Sequence, residues 1–131
     1  PSTVEAIELS LKALKETHDT AVAKLGKRHP LSLNISSDLA LLYSQNQAYQ
    51  KAIQICEKSI PLSRQVFGEQ HLASMKLRNI YGFSLAGLGR LDEGLSEMER
   101  SIRSTIENNA LPSLVALGTL QNFVFFRPSS R

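Results

Sequence analysis

A five-residue phrase that occurs twice at a fixed interval constrains this chain more than any other feature. Leu-Gly-Lys-Arg-His at residues 25–29 reappears as Phe-Gly-Glu-Gln-His at residues 67–71, so both the glycines and the histidines are 42 residues apart. Repetition at an interval of this size is typical of solenoids, in which each unit buries its apolar face against the next. The interval therefore predicts a stack of helical hairpins that presents a surface.

The same interval matches residue classes in other parts of the chain. Small residues recur at Ser10, Ala52 and Gly94, a phase at which two helices must approach closely. Spacings of three and four residues between the matched positions are those of one helix face. Further matched sets are Leu11, Ile53 and Leu95; Leu14, Cys56 and Met98; Thr17, Ser59 and Ser101; Leu39, Tyr81 and Phe123; and Ala40, Gly82 and Val124.

Helix breakers and the interval together predict six helices, as two whole hairpins flanked by two half hairpins. Turn residues lie at 46–47, 87–89 and 108–109, and Pro30 and Pro112 lie where a helix can begin. Pro61 lies inside a predicted helix and predicts a bend or an early break. The expected organisation is a single domain at 1–126 followed by a disordered basic tail at 127–131. The domain begins with a half repeat at 3–24 and ends with a half repeat at 112–125. Between them lie two whole repeats, with helices at 31–46 and 49–66 and at 73–88 and 91–108.

The most complete unit carries a large and a small residue at Leu39 and Ala40, then Tyr43, Tyr49 and Ala52. This pattern resembles the tetratricopeptide repeat. The second unit repeats the pattern with Tyr81, Gly82, Leu85, Gly89, Leu91 and Gly94. The longer interval and the joint at 25–30 are most similar to the kinesin-light-chain type of this repeat. The resemblance implies an all-α fold, a right-handed solenoid of antiparallel helical hairpins (a tetratricopeptide-repeat superhelix) with about six helices.

In tetratricopeptide arrays the first helix of each hairpin, helix A, lines a concave groove that holds peptides, so the resemblance implies such a groove here. The matching positions are Asn34, Ser37, Asp38 and Leu41 on the first A helix, Lys76, Asn79, Ile80 and Phe83 on the second, and Gln121 and Asn122 on the third, with Phe125 as a further candidate. Asn and Gln offer both a donor and an acceptor to a peptide backbone. Leu41, Ile80 and Phe83 would add apolar pockets that select side chains.

The two ends of the predicted array lack partner helices. The last helix is apolar and has no following helix to cover it, and the first helix lacks its own helix A. Exposed apolar faces usually mark an interface, so either the chain is excised from a longer array or these faces meet another subunit. The candidate oligomer interface comprises Leu117, Leu120, Phe123, Val124 and Phe126.

The remaining reactive side chains give no catalytic signal. His29 and His71 recur with the architecture, which predicts loop capping or packing. His18 is expected to be half-buried, and Cys56 to be a buried thiol rather than a nucleophile. The net charge of +3 arises from basic residues mixed among acidic ones, which is typical of solvated helix faces. No apolar segment is long enough for a membrane span, and no signal peptide is visible. We therefore expect a cytoplasmic protein that is not an enzyme, has no cofactor or metal, and binds neither nucleic acid nor membrane.

Three classes of function remain open. The first is a protein–protein interaction scaffold that binds a partner peptide in the groove. The second is a regulatory or sensor repeat domain within a larger signalling protein, such as a kinase, a transcription regulator or a nucleotide-switch protein. The third is an oligomerisation module that acts through its apolar end helices. A repeat fold does not fix the partner, because function lies in sites placed on the fold.

Overall fold

The computed structural model describes residues 3–107, which form five α-helices and no strand. The helices are α1 (Thr3–Leu25), α2 (Pro30–Gln45), α3 (Tyr49–Phe67), α4 (Leu72–Gly87) and α5 (Leu91–Glu107). Their bounds differ from the predicted ones by at most one residue at each end, and the all-helical prediction is confirmed for this part of the chain. The predicted helix at 112–125 and the predicted tail at 127–131 lie outside the described residues.

Each described helix packs against the next one along the chain, and α2 also packs against α4. Within residues 3–107, the backbones of α1, α3 and α5 stay apart from one another, although Leu11 and Leu14 of α1 and Ile55 of α3 pack against one apolar cluster. Helices α2 and α4 therefore lie side by side, whereas α1, α3 and α5 are separated from each other. This arrangement creates the two surfaces described below.

The two copies of the repeated phrase form the same joint between helices. Gly26 and Gly68 have φ angles of 91° and 92°, in the left-handed region that glycine enters without steric cost. His29 and His71 then cap α2 and α4: each Nδ1 accepts a hydrogen bond from the backbone N–H two residues further on, at 3.1 Å and 3.0 Å. The predicted capping role of both histidines is confirmed.

The core contains the helix-packing positions that the interval predicts. Ala52, Cys56 and Met98 are completely buried. One apolar cluster comprises Ala40, Cys56, Ile60, Leu77 and Ile80, and a second comprises Leu39, Tyr43 and Ala52. On α1 the matching positions differ, since Ser10 and Thr17 are exposed. The reason is that α2 is the one described helix whose backbone lies close to that of α1.

Pro61 does not end α3, so the expectation of an early break is wrong. The helix continues through Phe67 with Pro61 inside it. A proline has no N–H to offer the carbonyl of Glu57, four residues earlier. Both residues are exposed, so water can satisfy this carbonyl and the helix keeps its remaining bonds.

Helices α4 and α5 approach most closely at Gly82 and Gly94. A Cβ atom built on Gly94 would lie 2.6 Å from the carbonyl oxygen of Gly82 and 2.8 Å from the backbone nitrogen of Ala86. Both neighbours are backbone atoms, which cannot move away as a side chain can. Glycine is therefore required at this contact by lack of space.

We expect Gly94→Ala to lower the free energy of unfolding by about 1–2 kcal/mol, because the strain of overpacking exceeds the gain in helix propensity. Urea unfolding followed by circular dichroism measures the change. The control is Ser96→Ala on the exposed side of the same helix, expected to change stability by less than about 0.5 kcal/mol. Unchanged or higher stability of Gly94→Ala would contradict the close approach.

Candidate functional site

Two of the predicted groove helices, α2 and α4, lie in the described part of the chain and are joined by an ion pair. Lys76 on α4 donates a hydrogen bond from Nζ to Oδ1 of Asp38 on α2, at 3.2 Å. Both side chains retain solvent exposure, so the pair lies at the surface. Side chains predicted to line one groove are thus neighbours across the boundary between the two helices.

The other predicted groove residues are divided between surface and core. Asn34 is exposed, and Leu41, Asn79 and Phe83 are partly buried. Ser37 and Ile80 are buried, with 5% and 3% of their surfaces exposed. Ile80 packs in the core with Ala40 and Leu77 and so does not supply the surface pocket expected of it. Gln121, Asn122 and Phe125 lie outside the described residues, as do the candidate interface residues Leu117, Leu120, Phe123, Val124 and Phe126.

Phe83 is held in place by an aromatic neighbour. Its ring centroid lies 6.1 Å from that of Tyr49, with an interplanar angle of 60°, which is an edge-to-face arrangement. Such pairs are favourable beyond the area that they bury. Phe83 therefore presents a fixed apolar edge near the α2–α4 surface.

The ion pair between Asp38 and Lys76 leaves that surface adaptable. An exposed pair of this kind contributes less than about 1 kcal/mol to stability, because solvent screens it and ordering two side chains costs entropy. A ligand carrying either charge, or a backbone amide, can replace one partner at little cost. The arrangement can therefore provide both a donor and an acceptor to a bound segment.

A concave surface lies on the side of α2 opposite Asn34 and Asp38. A cleft of about 480 Å³ opens between α1 and α3, and α2 forms its floor through Leu33, Leu39 and Tyr43. At about 100° per residue, these side chains project away from the side that carries Asn34 and Asp38. We call this surface the α1–α3 cleft. The sequence analysis missed it, because it depends on the gap between two helices whose backbones stay apart.

His18 lies in the α1–α3 cleft and joins α1 to α2. Its Nε2 is 2.7 Å from Oγ of Ser36, which itself donates to the carbonyl of Ser32 at 3.0 Å. The predicted half-buried structural role of His18 is confirmed.

Asp19 lies next to His18 and is the acidic residue of the cleft. The ammonium group of Lys15 donates a hydrogen bond to this carboxylate at 3.3 Å and lowers the pKa of Asp19. Asp19 therefore stays ionised, and its charge is already compensated by Lys15.

Cys56 is a core residue with no access to solvent. It is 0% exposed, and its Sγ donates a weak hydrogen bond to the carbonyl of Leu77 at 3.7 Å. Burial, and secondarily the charge of Glu57, raises the pKa of the thiol to about 12. A protonated, inaccessible thiol is not a nucleophile at neutral pH. The prediction of a buried thiol is confirmed.

Residues 3–107 contain no group of three or more His, Cys, Asp or Glu side chains that could hold a metal ion. None of the helices in this range has both the length and the apolar character that crossing a membrane demands.

Residues 33–73 match the sequence profile of the family described as Tetratricopeptide repeat. They cover most of α2, all of α3 and the joint that leads into α4. Repeats of this family generally mediate protein–protein interactions.

The chain is also similar to the protein named Clustered mitochondria protein homolog of Debaryomyces hansenii, with 34% identity over 74 residues. The similarity covers 56% of this chain, and the chain spans about 6% of the length of that relative.

We expect Cys56 in the folded protein to resist a thiol-reactive dye and to react fully in denaturing urea. A Ser96→Cys variant, with its thiol on an exposed position of α5, should react at once and serves as the control. Because the unfolded thiol ionises near pH 8.5 and the folded one stays protonated up to about 12, the free energy of unfolding should fall as pH rises through this interval. Labelling of native Cys56 as fast as the control would contradict its burial.

Proposed function

We propose that this chain is a protein–protein interaction scaffold that binds a partner peptide in a concave groove formed by its A helices, of which α2 and α4 are described. The observation that carries the proposal is the ion pair between Asp38 and Lys76, at 3.2 Å, which links predicted groove positions of the two helices. The tetratricopeptide match over residues 33–73 supports it, since it includes most of α2 and all of α3, the hairpin that contributes α2.

A peptide in this groove would meet polar groups and apolar surface together. Asn34, Asp38 and Lys76 offer acceptors and donors to a peptide backbone. Leu41 and Phe83 are partly exposed and offer apolar contacts to its side chains. Asn79, one turn after Lys76, would form hydrogen bonds with the backbone of the bound peptide, between its polar and its apolar contacts. Gln121 and Asn122, on a third A helix, would offer further hydrogen bonds to the peptide backbone.

The finer repeat assignment is part of the same proposal. We assign the units to a kinesin-light-chain-like tetratricopeptide repeat with an interval of 42 residues, stacked as a right-handed superhelix. The matching joints support this assignment, because the capping histidines have nearly the same backbone angles, φ −64° and ψ 136° at His29 and φ −69° and ψ 146° at His71. We also propose a cytoplasmic location, where a relative of a protein named for mitochondrial clustering would reach the outside of mitochondria.

The groove is tested with peptides selected from a random phage-displayed library against the wild-type chain. Fluorescence anisotropy then gives the affinity of each peptide for variants. We expect Asn79→Ala and Phe83→Ala to weaken binding about 5- to 30-fold, as loss of about 1–2 kcal/mol requires. Gln65→Ala, which removes an exposed amide from α3, should leave the affinity unchanged.

Thermal melting of each variant separates a binding defect from a folding defect, which matters because Asn79 also makes contacts within the protein. If the selected peptides bind both folded groove variants as tightly as the wild type, the groove proposal fails.

The relative is much longer than this chain, which favours a second candidate function. In this candidate the chain is a regulatory or sensor repeat domain of a larger protein. The chain spans about 6% of that relative, so the relative holds this similarity within a much longer chain. Joining this domain to an effector, such as a signalling enzyme, would let a peptide bound in the groove control the effector.

An open face on α1 and α2 favours the oligomerisation alternative. Ala13, Thr17, Leu31 and Ile35 line a depression there, and Leu31 is 50% exposed. By contrast Leu77, which lies 42 residues after Ile35, is 1% exposed. The face on α1 and α2 therefore has the character of a surface that receives another helix, either from a longer array or from a second copy.

If a second copy covers this face, sedimentation and light scattering should show dimers at high protein concentration. Leu31→Glu should return the protein to monomer, because it places a charge in the apolar contact. The control is Leu88→Glu, on an exposed residue after α4. A wild-type chain that stays monomeric at high concentration contradicts self-association.

A further inference from the structure

The α1–α3 cleft has an excess of positive charge that the fold itself does not balance. Lys15, Lys27, Lys51 and Lys58 line it, against the one acidic lining residue, Asp19. Lys15 is paired with Asp19, and Lys51 lies over the ring of Tyr43 with Nζ 5.5 Å from its centroid. Among the described residues, no carboxylate lies within ion-pair distance of Lys27 or Lys58. At least these two ammonium groups remain available to an external anion.

The second repeat unit can be compared with the first, because each residue that lines the cleft has a counterpart 42 positions later in the sequence. Residues 42 positions after Lys15, Lys27 and Lys51 are Glu57, Glu69 and Glu93. The charge is therefore reversed at three matched positions while both units keep the same helices and joints. It follows that packing of the hairpins does not require lysine at these positions.

The second unit also neutralises its own charges. Arg78 takes the position that Ser36 has in the first unit, and its guanidinium group is buried and pairs with Glu69. Arg90 pairs with Glu93 at 2.7 Å. The place equivalent to the cleft is thus occupied by a buried arginine and its partner. The first unit has the small Ser36 there, which leaves space.

The floor of the α1–α3 cleft is apolar, so its ligand needs more than negative charge. The apolar side chains that line the cleft are Val22, Leu33, Leu39, Tyr43, Ile55 and Leu62. A ligand must place apolar groups between α1 and α3 and anionic groups at the lysines along the rim. A flat membrane surface does not reach a floor between two helices, and nucleic acid phosphates do not match aliphatic side chains.

The chain's own C-terminal sequence does not have the required charge. Residues 108–131 contain no Asp or Glu, and they include Arg127 and Arg131. The occupant that matches the charge and the floor is therefore an acidic segment from outside residues 108–131.

We propose that the α1–α3 cleft binds an acidic amphipathic peptide segment of a partner protein. The site is separate from the A-helix groove, because the two surfaces lie on opposite sides of α2. Lys27 and Lys58 bind the carboxylates of the segment, and its apolar side chains pack on Val22, Ile55 and Leu62, which line the cleft and are only partly buried. Because the charged contacts lie at an exposed rim, the affinity falls as the ionic strength rises.

The test uses a fluorescein-labelled synthetic peptide in which Glu alternates with Leu, and a second peptide with Lys in place of Glu. Anisotropy titrations compare the wild type with Lys27→Glu/Lys58→Glu. The charge-matched control is Lys12→Glu/Lys24→Glu, on exposed residues of α1 that do not line the cleft. We expect the cleft variant to bind the acidic peptide at least about tenfold more weakly and the control within about twofold of wild type. The basic peptide should not bind.

A neutral variant, Lys27→Ala/Lys58→Ala, provides the same comparison if charge reversal impairs folding, which circular dichroism detects. Phe83→Ala should leave binding of the acidic peptide unchanged, so failure of the A-helix groove and failure of the cleft can be distinguished. The proposal is overturned if the wild type does not bind the acidic peptide, or if cleft and control variants bind it equally. Binding of phosphatidylserine vesicles or polyuridylate without binding of the peptide also overturns it.

Discussion

The joint between consecutive helices is the constraint on which the other features depend. A glycine at φ near 90° ends one helix, and three residues later the chain reaches a histidine whose ring caps the next. Because both joints use the same geometry, α2 and α4 enter the structure in the same way and lie side by side. The ion pair between Asp38 and Lys76 and the separation of α1 from α3 follow from that placement. The interaction surfaces are thus a consequence of local backbone chemistry at residues 25–29 and 67–71.

The two surfaces divide the faces of one helix between them. On one side of α2, Asp38 contacts Lys76 of α4, and on the other side Leu39 and Tyr43 form the floor of the α1–α3 cleft. The first surface is polar and mixed in charge, which suits recognition of a peptide backbone. The second is apolar below and basic at the rim, which suits acidic and apolar side chains. The two proposals therefore assign ligands of different chemistry to opposite sides of one helix of sixteen residues.

Local signals in the sequence predicted the helices to within one residue, since glycine, histidine and turn residues act through the backbone next to them. The effect of Pro61 was misjudged, because the exposure of the carbonyl it leaves unpaired is a tertiary property. Ile80 was assigned to the groove from family positions, but helix packing turns it into the core beside Leu77. The α1–α3 cleft could not be predicted, because it depends on the distance between two helices whose backbones stay apart. The reversals from Lys15, Lys27 and Lys51 to Glu57, Glu69 and Glu93 were visible in the sequence and could have indicated a difference between the units.

The buried Arg78 makes the two joints mechanically unequal. Its guanidinium group pairs with Glu69, which lies inside the second joint, so a charged contact ties that joint to α4. At the matched positions of the first joint stand Lys27 and Ser36, and α1 is instead joined to α2 there through the hydrogen bond between His18 and Ser36. Opening the second joint would separate a buried charge from its partner, which is costly, whereas opening the first would not. The second joint is thus held to α4 by a charged contact, whereas the joint beside the cleft carries none, so the two otherwise matched joints differ in what stabilises them.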